Sequence, residues 1–485
     1  MPPGSGTSGD RPTATLAATT LGHIKSLWSE MPGRVSLAVV LMTITGLVDT
    51  TGVVLLPPLL ALVGVPLDGG AGGRFQDAVD TVLGFAGLEA TLPAVLGLFV
   101  LVSLVSAALR FSESLVAASV FTNYPHILRR DLLATISRAE WPLLTERAPG
   151  DFWHALTAEI GRVENATYAL LTTASTVMLA SVYLAMAFVI SPELSALVVA
   201  VAGFMVLVAL GFMRHAARLG TAASESEKAV YQGLQDHFGA LRLIRAHGQQ
   251  EQAIDEMSDR FTRATRQRWA SSRGYAASRL VIQGCTILAL ALVVLVAVEY
   301  LSIGAASLLV VIYAFGRAMP MVSWVAQSAQ LYVTEVAGFQ TVHELQTWAS
   351  SRTTGIPAGD SPAAFEHELR LNSVSFAYPA RQGTPAVDGV DMLLRKGTTT
   401  AIIGPSGSGK STICDLLMGL ISPTSGHVLI DGTDLSGCAG AWQRRIAYVP
   451  QDPVLFNASI VANLTWARPE ATSEEIDRAL RRADA

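Results

Sequence analysis

The stretch TTTAIIGPSGSGKSTICDLLMGL, residues 398–420, decides the fold of the C-terminal part of this chain. Its centre fits the pattern G-x-x-x-x-G-K-[ST] at every fixed position, as Gly404-Pro405-Ser406-Gly407-Ser408-Gly409-Lys410-Ser411. The β-branched and apolar run over 398–404 predicts a strand, and the apolar residues after Ser411 predict a helix. Strand, glycine-rich loop and helix form the local context in which this pattern binds nucleotide phosphates.

Each fixed residue has a physical task in such a loop. The glycines let backbone N–H groups wrap around a phosphate, and the start of the helix adds a favourable dipole. Lys410 can reach the β and γ phosphate oxygens, while Ser411 can offer its hydroxyl to Mg²⁺. The sequence therefore predicts a site for ATP and Mg²⁺ at residues 404–411.

The composition places this loop in a membrane protein. Of the 485 residues, 51% are hydrophobic and only 15% are charged, a balance that favours the membrane class. The formal net charge of −5 shows no basic excess, so the sequence argues against nucleic acid as a partner. Cys285, Cys414 and Cys438 have no paired or metal-ligand spacing and are expected to be reduced thiols.

Six apolar stretches are long enough, at about 20 residues each, to cross a bilayer. They lie near residues 35–63, 92–116, 168–190, 194–213, 280–298 and 303–325. We expect a disordered tail at 1–20, an all-α six-span domain with long cytoplasmic helical loops at 21–345, a linker at 346–364 and an incomplete α/β P-loop nucleotide domain at 365–485. Residues 21–31 have helical spacing, which suits either a helix on the membrane surface or one leading into the first span.

The arginines orient these spans. The two long loops, between spans two and three and between spans four and five, carry fifteen arginines, whereas the opposite side has Arg74 alone. This bias predicts that the long loops and both termini are cytoplasmic. Charges inside spans are costly and are candidates for function. Asp49 and Arg317 are two such residues, and each can either face a substrate cavity or make a structural hydrogen bond between helices.

With these features in place, the chain resembles an ATP-binding cassette (ABC) transporter, a type I exporter half-transporter, from about Leu21 to Ala485. The segment VSFAYP is similar to the family segment whose aromatic residue stacks on adenine, here Tyr378. The segment IAYVPQDPVLFNASIVANL is similar to the Q-loop segment, which implies that Gln451 contacts Mg²⁺ and the attacking water. The resemblance implies a nucleotide-binding set of Tyr378, Gly404, Pro405, Ser406, Gly407, Ser408, Gly409, Lys410, Ser411 and Thr412, with Ser411 and Gln451 at the metal.

The same resemblance implies partners and activity. It implies an ATP-hydrolysing translocase in the cytoplasmic membrane, paired with a second half-transporter subunit as a homodimer or heterodimer. The exported substrate would be a lipid, a peptide or a hydrophobic small molecule. Short coupling helices would contact a nucleotide domain, near Arg138 to Ala148 with Trp141 and near Gln235 to Gln249 with Arg245.

The chain departs from the family after Gln451. The Leu-Ser-Gly-Gly-Gln signature, the apolar strand ending in Asp-Glu and the switch histidine do not occur in residues 452–485. Two earlier stretches, 435–437 and 428–431, look like parts of these motifs but precede the Q-loop, and we expect both to be structural. We therefore expect weak nucleotide binding without efficient hydrolysis, and a chain that is a fragment or a truncated reading frame. The alternative is a non-transporting membrane scaffold or regulator with a degenerate nucleotide domain.

Overall fold

The computed structural model of the protein describes residues 12–55, 59, 62, 89, 91–190, 192–299, 305–351, 365–378, 385–451 and 454–484. The chain divides into two compact units. The first contains Met1–Ala134 and Ala148–Thr347, and the second contains Thr135–Arg147 and Trp348–Ala485. Each unit is described by itself.

In the described residues up to Ser350, the secondary-structure elements are helices. Its helices are α1 (Pro12–Glu30), α2 (Pro32–Val54), α3 (Leu92–Ser137), α4 (Trp141–Leu144), α5 (Pro149–His154), α6 (Ile160–Ile190), α7 (Pro192–Gly239), α8 (Leu241–Ala246), α9 (Gln250–Glu299), α10 (Ala305–Glu335) and α11 (Ala337–Ser350). A π-helical turn, Ala155–Glu159, joins α5 to α6.

Three helices are far longer than a membrane crossing requires. α3 has 46 residues, α7 has 48 and α9 has 50, and at about 1.5 Å per residue each is roughly 70 Å long. The hydrocarbon core of a bilayer is only about 30 Å thick. The predicted helical continuation of the spans into the long loops is therefore confirmed. Among the described residues, four segments are long and apolar enough to cross a membrane: Pro32–Asp49, Leu92–Ser137, Pro149–Ala185 and Gln250–Val296.

The N-terminal helix begins earlier than the sequence predicted. α1 starts at Pro12, so residues 12–20, which the composition assigned to a disordered tail, form its first half. Proline is well suited to the first helical position, because its missing N–H is not needed there. The following Thr, Ala and Leu residues then extend the helix. Residues 1–11 lie outside the described part of the chain.

A buried histidine fixes α1 against the helical unit. His23 is fully buried; its Nδ1 lies 3.3 Å from the hydroxyl of Tyr332, and its Nε2 lies 3.2 Å from Oγ1 of Thr167. The His23 ring also contacts the rings of Tyr124 and Phe339. Burial lowers the pKa of His23 to about 4, so the imidazole is neutral at physiological pH. One side chain thereby ties α1 to α3, α6, α10 and α11.

A charge cluster lies where α6 meets the end of α10. Glu159, at the end of the π-helical turn, is fully buried and pairs with Arg162 at 3.2 Å. Arg162 also pairs with Glu335 at 3.5 Å and donates to the carbonyl oxygen of Thr334 at 2.6 Å. Buried charges are stable only when paired and hydrogen-bonded. Arg162 therefore holds two carboxylates together and completes the C-terminal end of α10.

The second unit contains one antiparallel sheet of order β2-β1-β3-β4. Its strands are β1 (Glu368–Phe376), β2 (Val387–Arg395), β3 (Ser425–Ile430) and β4 (Thr433–Asp434). Its helices are α12 (Lys410–Leu417), α13 (Ala439–Gln443), α14 (Ile460–Leu464) and α15 (Ser473–Ala483). Thr472 and Glu475 form the predicted capping box at the start of α15.

Alternating residues of the strands form the core of this unit. Leu369, Leu371, Val374 and Phe376 of β1 are all buried and pack with Val428 and Ile430 of β3. Ile413 and Leu416 of α12 cover the same core. These contacts place the start of α12 against the sheet. The predicted fold class, a helical membrane region followed by a small α/β nucleotide region, is confirmed.

One predicted strand does not form. Residues 398–404 belong to none of the strands in the described chain, and Ile403 is 90% exposed. A strand needs a hydrogen-bonded neighbour as well as β-branched side chains, and no other described segment pairs with this run. The prediction of a strand over 398–404 is therefore wrong, although the loop and helix that follow it are present.

The segment before α5 packs on the end of α11. Ala139 and Leu143 form a hydrophobic cluster with Ala349, and the guanidinium of Arg147 lies 4.5 Å from the ring centroid of Trp348. All of these residues belong to the second unit. The predicted coupling region around Trp141 is thus tied to the helix that leads towards the nucleotide region.

Candidate functional site

The glycine-rich loop ends at the first residue of α12. Gly409 caps this helix with φ 86° and ψ 10°, in the left-handed region. A Cβ atom at Gly409 would lie 2.4 Å from the carbonyl oxygen of Ala386, which is closer than real Cβ contacts come. Only glycine satisfies both the backbone angle and the space. The sequence pattern therefore reflects a tight approach of the loop to the chain just before β2.

Lys410 places its charge over the loop. Its Nζ donates to the carbonyl oxygens of Gly404 at 3.0 Å and Pro405 at 2.7 Å. Residues 404–408 are exposed. The ammonium of Lys410, the exposed loop and the positive end of the helix dipole all favour an anion at this place.

Tyr378 lies beside the same helix. Its hydroxyl is 3.4 Å from Oγ1 of Thr412, which is buried in the first turn of α12. The Tyr378 ring packs edge-on against Phe376, with ring centroids 5.0 Å apart. The structure thus places Tyr378 beside the helix that follows the loop, and its stacking on adenine stays a prediction.

The predicted metal-binding pair is not brought together in the same way. Ser411 and Gln451 are both exposed, and no hydrogen bond joins them in the described part of the chain. The described residues also contain no group of three or more His, Cys, Asp or Glu side chains suited to a metal. A hydroxyl and an amide oxygen therefore fit Mg²⁺ only together with the phosphate oxygens of a bound nucleotide and with water, which commonly complete its coordination.

The pKa values of two carboxyl groups in the second unit are shifted, each by an identifiable cause. Burial raises the pKa of Asp415, one turn after Ser411 on α12. Asp431, in the turn after β3, accepts the backbone N–H groups of Glu366, His367 and Glu368. These hydrogen bonds, led by that of Glu366, hold the pKa of Asp431 below its usual range. Asp431 therefore stabilises a turn, as expected for the stretch 428–431.

The other stretch set aside in the sequence is also structural. Residues Leu435–Gly437 form a short 3₁₀ turn, and Leu435 is buried in the core of the second unit. Asp434 caps this turn by accepting from the backbone N–H of Ser436. A buried leucine in a capped turn presents nothing to a nucleotide.

Asp49 makes a network between helices. It pairs with Arg110 at 2.6 Å, accepts from Tyr183 at 2.6 Å and accepts from Ser106 at 3.0 Å. The side chain of Asp49 is only 10% exposed. Of the two alternatives for Asp49, the structural hydrogen bond between helices is present, joining α2, α3 and α6.

The sequence reasoning missed two charged residues inside its own second span. Arg110 and Glu113 both lie within residues 92–116, and Glu113 accepts a hydrogen bond from Ser175. The signal was present, because any ionisable residue in a span is a candidate for function. Arg317 lies on α10, but its side chain is outside the described residues.

The candidate coupling residues remain accessible. Trp141 begins α4 and is 46% exposed. Arg245 lies on the exposed short helix α8, which has no buried residue. Both residues lie on short helices, and their contact with a nucleotide domain stays a prediction.

Comparison with known proteins identifies the same two parts of the chain. The family model described as "ABC transporter transmembrane region" matches residues 36–316, which is more than half of the chain. The model described as "ABC transporter" matches residues 387–485. "ATP-binding cassette sub-family B member 10, mitochondrial" of Mus musculus is 27% identical over 376 residues, covering 74% of this chain and 51% of the relative.

Shorter matches have higher identity. "ABC multidrug transporter mdr2" of Aspergillus fumigatus is 39% identical over 127 residues, covering 26% of this chain and 16% of the relative. "Mitochondrial potassium channel ATP-binding subunit" of Xenopus tropicalis is 38% identical over 120 residues, covering 24% of this chain and 17% of the relative. The chain thus spans at most about half the length of these curated relatives.

Proposed function

The chain belongs to the ABC transporter family, and we propose that it binds ATP at residues 404–411 to drive export of a lipid, a peptide or a hydrophobic small molecule. One observation carries this proposal. The ammonium of Lys410 is held over an exposed loop at the start of α12, and Tyr378 lies beside the same helix. This arrangement offers a charge for phosphates and an aromatic ring for a base.

Different residues of the site bind different parts of ATP and its Mg²⁺. The loop amides and Lys410 hold the phosphate charge, because each supplies a donor without needing to move far. Tyr378 supplies a ring face for adenine. Ser411 supplies a hydroxyl, and Gln451 an amide oxygen, for Mg²⁺, which neutralises phosphate charge when it is bound. The hydrogen bonds of Lys410 to the loop carbonyls and the contact of Tyr378 with Thr412 position two of these groups.

The rest of the function requires a second subunit. In a half-transporter, two nucleotide domains and two membrane domains must combine, either as two copies of this chain or with a related chain. We propose the cytoplasmic membrane as the location, with both termini on the cytoplasmic side. The arginine bias of the long loops supports this orientation, whereas the mouse and frog relatives carry mitochondrial names.

A second candidate is a membrane scaffold or regulator that binds nucleotide but hydrolyses it poorly. The observation that favours it is that the carboxylates of Asp431 and Asp434 accept backbone N–H groups of turns, so neither is placed to hold Mg²⁺ or to polarise water. Binding and turnover therefore separate the two candidates.

The test is nucleotide binding by the full chain in detergent or nanodiscs, together with ATP turnover. Lys410→Ala removes a charge-assisted donor, which is worth about 1.5–3 kcal/mol or about 10–100-fold in affinity. Lys396→Ala is the matched control, because Lys396 is an exposed lysine of the same unit, 3.9 Å from Glu366. Equal affinity of the Lys410 variant and the wild type would refute the proposed site. Binding with efficient turnover would refute the second candidate.

A further inference from the structure

One face of α3 is polar within an otherwise apolar span. Ser103, Ser106, Arg110 and Glu113 recur at intervals of three, four and three residues, so they lie along one side of the helix. Neighbouring positions on other sides are apolar and exposed, such as Leu104 and Phe111, each 64% exposed. We call these four residues the charged seam, and exposed apolar side chains flank it.

Part of this seam is satisfied by neighbouring helices. Ser106 and Arg110 bind Asp49 of α2, which also accepts from Tyr183 of α6. Ser175 of α6 donates to Oε1 of Glu113. Each carboxylate is thus anchored, and the seam sits at the junction of α2, α3 and α6.

Part of the seam is open. Nη2 of Arg110 lies 2.6 Å from Oδ1 of Asp49, and the Arg110 side chain is 47% exposed. In the part of the chain that the structure describes, the other guanidinium donors and Oε2 of Glu113 have no hydrogen-bond partner. A guanidinium carries five N–H donors in a planar fork suited to phosphate or carboxylate. An open cation and an open carboxylate oxygen therefore lie one helical turn apart.

The signs of the two side chains decide which headgroup this face accepts. The pair consists of a half-exposed guanidinium and a carboxylate. Glu113 would repel a purely anionic headgroup, and Arg110 would repel a purely cationic one. A headgroup with both signs satisfies both residues, whose Cβ atoms lie about 5–6 Å apart at this spacing. The flanking apolar surface suits acyl chains.

We propose that Arg110 and Glu113 bind the headgroup of a zwitterionic amphiphile, with its anionic group on Arg110 and its cationic group on Glu113. This inference rests on the proposed export function and names the chemistry of its substrate. Asp49, Ser106 and Tyr183 act as positioning residues, because they hold Arg110 in place. Ser175 does the same for Glu113.

Direct binding of defined probes to the full chain in detergent tests this assignment. The probes are three amphiphiles with identical short acyl chains and a fluorophore, bearing a phosphoethanolamine, a phosphoglycerol or a trimethylammonium headgroup. Phosphoethanolamine should bind most tightly. Glu113→Gln keeps the size of the side chain and should weaken phosphoethanolamine binding by about tenfold or more, since it removes a charge-assisted contact.

The variants are chosen so that folding does not decide the result. Arg110→Gln alone would leave Asp49 buried and unpaired, so the double variant Asp49→Asn with Arg110→Gln is used instead. It should lose about tenfold in phosphoethanolamine affinity. Ser114→Ala is the control on the same helix, because the Ser114 hydroxyl bonds only to the backbone of Phe111. Thermal unfolding of each variant verifies that it is folded.

Two results overturn the inference. The first is unchanged phosphoethanolamine affinity in both charge variants, and the second is tighter binding of either singly charged probe. Nucleotide binding is measured on the same samples. If the wild type binds the amphiphile but not the nucleotide, only the proposed ATP site is refuted. If it binds the nucleotide but not the amphiphile, only this inference is refuted.

Discussion

Replacing Gly409 by alanine tests the phosphate loop most directly. A non-glycine residue at φ 86° carries strain of about 1–3 kcal/mol. In addition, the new methyl group would lie 2.4 Å from the carbonyl oxygen of Ala386. Because that atom belongs to the backbone, the loop or the chain before β2 must move. We expect Gly409→Ala to lower affinity for an ATP analogue by at least about tenfold, which corresponds to about 1.4 kcal/mol.

Equilibrium binding of a fluorescent ATP analogue, measured together with thermal unfolding, separates a damaged site from a damaged fold. The control is Gly432→Ala, in the turn between β3 and β4, where φ is 83° and an added Cβ meets nothing within 4 Å. This control carries the backbone strain without the clash and lies outside the loop. It should lower stability and leave nucleotide affinity unchanged. If Gly409→Ala binds the analogue as tightly as Gly432→Ala does, the steric argument for the loop is incorrect.

Three further predictions concern stability. Between pH 6.5 and about 4 the unfolded state binds a proton at His23 that the folded state does not, so the free energy of unfolding should fall by up to about 3 kcal/mol as the pH is lowered. A His23→Asn variant that unfolds with the same pH dependence as the wild type would contradict this. Arg162→Met removes the cation that Glu159 and Glu335 share and should cost about 3–5 kcal/mol in thermal or denaturant unfolding; a loss below about 1 kcal/mol argues against the cluster. Arg147→Ala removes a cation–π contact with Trp348 and should cost only about 0.5–1 kcal/mol, with Arg138→Ala as its exposed-arginine comparison.

Local sequence was sufficient for features that are built from neighbouring residues. The start of α12 and the capping box of α15 depend on contacts within about ten residues, so the pattern and the geometry agree, whereas Gly409 also approaches Ala386 more than twenty residues earlier. The long helices were also predictable, because apolar spacing continues unbroken from the spans into the loops. Tyr378 came from the family resemblance, and the structure places it beside the loop.

Features that depend on distant pairing were not predictable. The run at 398–404 has strand composition, yet a strand requires a neighbour, and none pairs with it in the described chain. Asp49 is separated by 57 residues from Ser106 and by 134 residues from Tyr183, so nothing near it in the sequence indicates its partners. The N-terminal half of α1 was assigned to a tail because its composition is rich in small residues, whereas packing through His23 stabilises the whole helix.

The contacts of His23 also constrain the order in which the helices pack during synthesis. Its partners lie 144 and 309 residues further along the chain. At a synthesis rate of about 5–20 residues per second, the second partner emerges about 15–60 s after the histidine itself. During that time α1 cannot form its contact with Tyr332, because α10 has not yet been synthesised. α1 therefore leaves the ribosome well before all of its packing partners, and ribosomes stalled before Tyr332 should display α1 in a protease-sensitive state.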